Sequence, residues 1–139
     1  MHMAASESPL LLIVDDEVNV TRTLQMVFER HGYRVKTALS CADALKKLGE
    51  NGESFDAVIT DLNMERADIG LNVARAARKL KSKPAVIICT GYASVSNSQS
   101  ALEMHVDYLA IKPVDLEQLL SAVHRLITLR ANALNGGVK

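Results

Sequence analysis

From Leu10 onward, short apolar runs alternate with longer segments in which apolar positions recur at helical spacing. Three runs are apolar almost throughout: Leu10–Val14, Ala57–Thr60 and Ala85–Cys89. Strands covered on both faces read this way, so these three belong at the centre of a parallel sheet. Tyr33–Thr37 instead alternates with charge, which suits an edge strand that water reaches. Tyr108–Ile111 makes a short fifth strand. Between these runs the spacing predicts helices over Val18–His31, Cys41–Leu48, Gly70–Leu80, Val95–Met104 and Leu116–Arg130. In the first helix Val20, Leu24, Val27 and His31 share a face, and Gly32 is placed to end it with a left-handed residue. Asp115 with Gln118 has capping-box spacing at the start of the last helix, and Ser40 with Asp43 is a looser version at the start of the second.

Right-handed crossovers turn such β–α units into a doubly wound α/β sandwich of three layers, with a five-stranded parallel sheet. With the second strand at an edge, the economical strand order is 2-1-3-4-5, the flavodoxin-like arrangement common to this class. The order reverses between the first and third strands, and ligands of such sheets bind there, beyond the carboxyl ends. Residues 10–131 are expected to form the single domain. Residues 1–9 are expected to be a disordered N-terminal segment and 132–139 a short tail.

Composition narrows the setting. The chain has 139 residues and 15.1 kDa, room for one core. Its 48% apolar and 23% charged content argues against a largely disordered chain. Sixteen basic residues balance sixteen acidic ones, so no overall field draws it to nucleic acid or to an anionic membrane. The cluster Arg75, Arg78, Lys79, Lys81 and Lys83 reads as the solvated face and C-terminal turn of the third helix. The run Leu10–Val14 is too short to span a bilayer. Cys41 and Cys89 have no metal-ligand spacing, so a reducing cytoplasm is the expected location.

The chemistry gathers where the strands end. The first strand runs into Asp15-Asp16-Glu17, the third into Asp61, the fourth into Thr90-Gly91 and the fifth into Lys112-Pro113. An Asp pair after a strand can simply begin a helix, whose N-terminus favours acids. Together with Asp61, Thr90 and Lys112 it reads otherwise. Three gathered carboxylates repel one another unless a hard divalent cation such as Mg²⁺ joins them. Lys112 and the Thr90 hydroxyl then suit the oxygens of a phosphoryl group, and Asp61 is the best placed nucleophile.

The strings LLLIVDDE, YRVKTALSCADAL, DAVITDLNM, VIICTGYAS and IKPVDLEQL resemble two-component response-regulator receiver domains, from about Leu10 to Arg130. The resemblance implies that Asp61 is the phosphoacceptor and that Asp16 and Asp61 bind Mg²⁺ directly. It further implies that Asp15 acts through water and that Asn63 gives a backbone carbonyl. Thr90 would turn toward the phosphoryl group and Lys112 would pair with it, the bond from Lys112 to Pro113 being cis. Asn63 and Tyr92 occupy positions that tune dephosphorylation in the family. The implied donor is a phosphohistidine on a sensor histidine kinase or a histidine phosphotransfer protein. The signal would pass to a downstream output domain or protein, by a shift of the face built from the fourth helix, fifth strand and fifth helix. Homodimerisation through that face is expected; direct nucleic-acid binding and a membrane role are not. The chain would be a signalling phosphoacceptor and not an enzyme beyond handling its own phosphoryl group.

Two departures stand out. Leu109 occupies the place of the usual aromatic switch residue, and Tyr108 beside it faces the other way. After Asp61, Met64-Glu65 stands where Met-Pro is common, and Asp68-Ile69-Gly70 carries an extra residue. Without the proline this loop is expected to be less restrained. Leu109 keeps a rival open, a receiver-fold module that binds partners without phosphorylation. A second rival, a Mg²⁺-dependent phosphatase with an aspartyl-phosphate intermediate, needs an acid two residues beyond the nucleophile, where Asn63 stands.

Overall fold

The computed structural model describes residues 8–50, 54–91 and 106–134. Five strands, β1 (Leu10–Val14), β2 (Arg34–Ala38), β3 (Ala57–Asp61), β4 (Ala85–Thr90) and β5 (Tyr108–Ile111), form one sheet in the order β2-β1-β3-β4-β5. All four pairings are parallel. Helices α1 (Val18–Arg30), α2 (Cys41–Leu48), α3 (Gly70–Arg78) and α4 (Leu116–Leu134) cover its faces. The helix expected over Val95–Met104 lies outside the described residues, as do Tyr92 and most of the two terminal segments.

Alternation along the strands divides the core in two. Leu12, Val14, Val58, Val86 and Ile88 pack with Ala44, Val73 and Ala77 of α2 and α3. Leu11, Ile13, Ile59, Ile87 and Cys89 pack with Leu24, Phe28, Leu119 and Val123 of α1 and α4. Every residue of β1, β3 and β4 is buried, whereas Arg34 to Thr37 of edge strand β2 are reached by water. That is the expected division between central and edge strands.

The α1 face is offset from expectation. Thr21, Leu24 and Phe28 are its buried residues, and His31 is exposed with Nδ1 2.9 Å from Val27 O. The threonine is acceptable inside because its hydroxyl donates to Val18 O at 2.9 Å. Gly32 does end the helix, with φ +91°. Both expected caps form: Asp43 N donates to Ser40 Oγ at 3.1 Å and Gln118 N to Asp115 Oδ1 at 3.1 Å. Helix α4 continues past Arg130 to Leu134 through Ala131-Asn132-Ala133, where two alanines favour another turn.

At the amino ends of the strands, Arg130 of α4 closes the base. Its Nη1 lies 2.7 Å from Asp56 Oδ1 and its Nε donates to Lys83 O at 2.8 Å, while Nη2 donates to Ser82 O. The other Asp56 oxygen accepts from Leu10 N at 2.8 Å. None of the described helices is long and apolar enough to cross a membrane.

Candidate functional site

At the opposite end of the sheet the structure brings Asp15, Asp16, Asp61 and Lys112 together. Each of the three carboxylates offers an oxygen within 4.8 Å of the others. Asp15 and Asp61 are buried, 4% and 7% exposed, whereas Asp16 is exposed. Lys112 Nζ stands 3.2 Å from Asp15 Oδ2 and 3.3 Å from Asp61 Oδ2. Three carboxylates facing one ammonium leave the cluster with negative charge in excess.

Main-chain bonds beyond the strand ends set the height of each group. Asp15 N donates to Ala38 O at 3.1 Å, Leu62 N to Cys89 O at 2.8 Å and Lys112 N to Thr90 O at 2.8 Å. Asp15 Oδ1 accepts from Glu17 N at 2.9 Å, so this carboxylate both turns the chain toward α1 and holds Lys112. The peptide bond from Lys112 to Pro113 is cis.

Burial raises the pKa of Asp61 above the ordinary carboxylate value, and the Asp15 charge adds to this against the pull of Lys112. Burial alone would lower Lys112, but the charges and hydrogen bonds of Asp61 and Asp15 together outweigh it and leave its pKa raised. The lysine is therefore a firm cation. Cys89, next to Thr90, is buried and its thiol is pushed up to about 12, which leaves it an apolar wall and not a nucleophile.

Thr90 ends β4, is 1% exposed, and meets Lys112 through its carbonyl. The side chain of Asn63 does not join the cluster; its Oδ1 accepts from Asp68 N at 2.7 Å. That bond closes the loop after Asp61, with Asp68 in the left-handed region at φ 61°. Gly70 N donates to Leu62 O at 2.8 Å, and a Cβ on Gly70 would overlap the Asp61 carbonyl oxygen. Glu65 Oε2 accepts from Cys41 N, the first residue of α2, at 3.2 Å. The loop expected to be less restrained is thus tied at three points. The sequence marked Glu65 as a departure in type and the Asp68-Ile69-Gly70 stretch as one in length, and it held no local sign of what Glu65 and Gly70 touch.

Leu109 is half-buried against the α2–α3 side of the core, and Tyr108 against the α1–α4 side, as opposite-facing neighbours must be. A cavity of about 410 Å³ opens beside the cluster, lined by Asp15, Asp61 and Lys112 together with Val20, Leu24 and Ile59.

The sequence profile of the family described as Response regulator receiver domain matches residues 11–124. Transcriptional regulatory protein PrrA of Mycobacterium tuberculosis is 32% identical over 125 residues, covering 90% of this chain and 52% of that protein. Transcriptional regulatory protein GlrR of Escherichia coli is 34% identical over 113 residues, 81% of this chain and 25% of that protein. The chain therefore spans about half the length of the first relative and a quarter of the second. Among solved structures, a CheY-like response regulator receiver domain protein from Methanospirillum hungatei superposes with a TM-score of 0.84 at 27% identity, covering 91% of this chain and 99% of that one. A receiver domain protein from Clostridium thermocellum gives 0.79 at 30% identity, with 88% and 97% covered.

Proposed function

The chain belongs to the response regulator receiver domain family, and on that premise we propose that Asp61 accepts a phosphoryl group from a phosphohistidine in a Mg²⁺-dependent reaction. The observation that carries this reading is the cluster itself, three carboxylates within 4.8 Å of one another beside an ammonium at 3.2 and 3.3 Å. The donor would be a sensor histidine kinase or a histidine phosphotransfer protein.

The donor set fits a hard divalent cation, for which carboxylate oxygens are the preferred ligands. Asp16 and Asp61 are the direct ligands in this reading, Asp15 acts through water, and Asn63 contributes its main-chain carbonyl, its side chain being engaged by Asp68. When bound, Mg²⁺ neutralises charge on the incoming phosphate and on the carboxylates.

An Asp61 oxygen attacks phosphorus in line; the new O–P bond forms as the donor's P–N bond breaks, and the imidazole leaves with that electron pair. Lys112, already within ion-pair distance of Asp61, moves its ammonium onto a phosphoryl oxygen, where negative charge is carried through the transition state. Thr90, at the end of the neighbouring strand, supplies its hydroxyl to another oxygen. The product would shift the protein between two states of the face that includes β5 and α4, for an output domain or protein to read.

Leu109 at the usual aromatic position favours one second reading, a receiver that signals by contact alone. Intact-protein mass spectrometry after incubation with acetyl phosphate, with and without Mg²⁺ and beside Asp61→Asn, separates the two. A single Mg²⁺-dependent phosphoryl adduct, lost in the variant, is expected. A folded, Mg²⁺-binding protein that takes no phosphoryl group from acetyl phosphate or from a phosphohistidine donor would leave the contact-only reading.

A further inference from the structure

The loop that follows Asp61 touches the start of α2 through one side chain. Glu65 follows Asp61 by four positions, and its Oε2 receives the N–H of Cys41, 24 residues earlier in the chain. Cys41 is the first residue of α2. The first turn of that helix is therefore capped twice, by Ser40 Oγ on Asp43 N from its own segment and by Glu65 on Cys41 N from the site loop. A carboxylate at a helix N-terminus gains from both the free N–H and the helix dipole.

The same loop is stiff toward Asp61. Leu62 O receives Gly70 N, the glycine lies against the Asp61 carbonyl with no space for a Cβ, and Asn63 Oδ1 ties the middle of the loop to Asp68 N. A change in the position of Asp61 or of the Asn63 main chain thus has little slack to disappear into before it reaches Glu65. On the far side, α2 is short, eight residues, and is fastened at its other end by Lys47 Nζ on Thr37 O at 2.6 Å. Its amino end is held across to the site by Glu65.

We propose that Glu65 couples the state of Asp61 to the amino-terminal turn of α2, giving the protein a route of response that does not pass through Leu109. The inference rests on the receiver reading given above. Glu65 is a positioning residue here, since it acts through the loop and not on the phosphoryl group. By linkage, if the occupied site moves the Glu65–Cys41 contact, loss of that contact must change the affinity of the site for its occupant by the same factor.

The test is to titrate the full chain with Mg²⁺ and beryllium fluoride, a phosphoryl mimic, while following backbone amides by ¹H–¹⁵N NMR. It is run on the natural chain, Glu65→Ala and Glu65→Gln, with thermal melts to show that each is folded. The expected result is that the Lys112 and Cys41 amides both shift in the natural chain. In Glu65→Ala the Lys112 amide still shifts, the Cys41 response is lost, and the mimic binds about fivefold or more weakly or more tightly. Glu65→Gln, which keeps an acceptor oxygen, restores both. A purely structural cap would lower the melting temperature of Glu65→Ala and leave the response and affinity unchanged, which overturns the proposal. A response at Lys112 with none at Cys41 in the natural chain also overturns it while leaving the receiver reading intact. Silence at both amides under saturating mimic sinks the receiver reading and this coupling together.

Discussion

Lys112, just beyond β5, reaches past β4 to put its ammonium 3.3 Å from the carboxylate of Asp61 on β3. The same nitrogen serves Asp15 on the other side. It therefore competes with a divalent cation for the two buried carboxylates, yet in the proposed reaction it is the group that meets the phosphoryl oxygens. Lys112→Met is expected to move these two properties in opposite directions. Mg²⁺ binding should tighten by about tenfold, because a positive neighbour is removed from an acidic cluster. Phosphoryl transfer from acetyl phosphate should slow by about 10²–10³-fold, the usual cost of one lost donor to developing charge. Calorimetric Mg²⁺ titration and an intact-mass time course measure the two separately.

Asp61 carries a stability signature of its own. Burial, with the Asp15 charge, lifts its pKa above the ordinary 3.8 against the attraction of Lys112. In metal-free protein the folded state holds this proton to higher pH than the unfolded chain does. Stability therefore falls as pH rises from 3.8 through the raised value, and the deficit is complete above both. Asp61→Asn removes that deficit. In EDTA at neutral pH the variant should melt a few degrees higher than the natural chain, and the gap should close as pH is lowered through the window. Scanning calorimetry across that range checks the sign; a variant that melts lower at neutral pH would contradict it.

Gly70 is required by its neighbours and not by its backbone angle. A Cβ there would overlap the Asp61 carbonyl oxygen and lie 2.8 Å from Leu62 Cα, both of them main chain inside the sheet end. Gly70→Ala should cost about 1–3 kcal/mol by overpacking. It should also weaken Mg²⁺ binding, because the chain that must yield is the one carrying Asp61. Urea unfolding and Mg²⁺ titration of the same sample give both numbers.

Arg130 separates stability from chemistry. Its guanidinium meets Asp56 Oδ1 and the carbonyls of Ser82 and Lys83 at the base of the sheet, far along the strands from the acidic cluster. The Arg130 and Asp56 side chains are 14% and 25% exposed, so solvent screens the pair only in part. Arg130→Ala should destabilise the fold by about 2–3 kcal/mol, the range for losing a charged hydrogen-bonding group whose partners stay half-buried. Mg²⁺ affinity should be unchanged. A matched loss of metal binding in folded protein would contradict this separation.

Most of the fold was legible because it is written locally. Continuous apolar runs mark β1, β3 and β4, the charged alternation of Tyr33–Thr37 marks an edge, and acids stand directly after the runs of β1 and β3. Asp15, Asp16, Asp61 and Lys112 could be read for the same reason, since each sits at or just past the end of a strand whose direction is known. What escaped lies between distant segments. The bond from Cys41 to Glu65 joins residues 24 apart, and the pair of Asp56 with Arg130 joins residues 74 apart. No periodicity encodes such partners. The offset of the α1 face has a different cause: Thr21 looks polar in a hydrophobicity pattern, and only its bond to Val18 O makes it a core residue while His31 stays in water.

The parallel register also determines which changes in length this chain can absorb. Asp61 is level with Cys89, and Thr90 with Ile111, the residue before Lys112, so the site is assembled by counting residues along four strands at once. One residue added inside β4 would advance Thr90 by a strand rise of about 3.3 Å and turn it to the other face. One residue added in an exposed connection between a helix and the next strand leaves that count intact. Insertions and deletions in such a chain are thus filtered by position before any side chain is tested, and variation in length is confined to the connections while the strands keep their count.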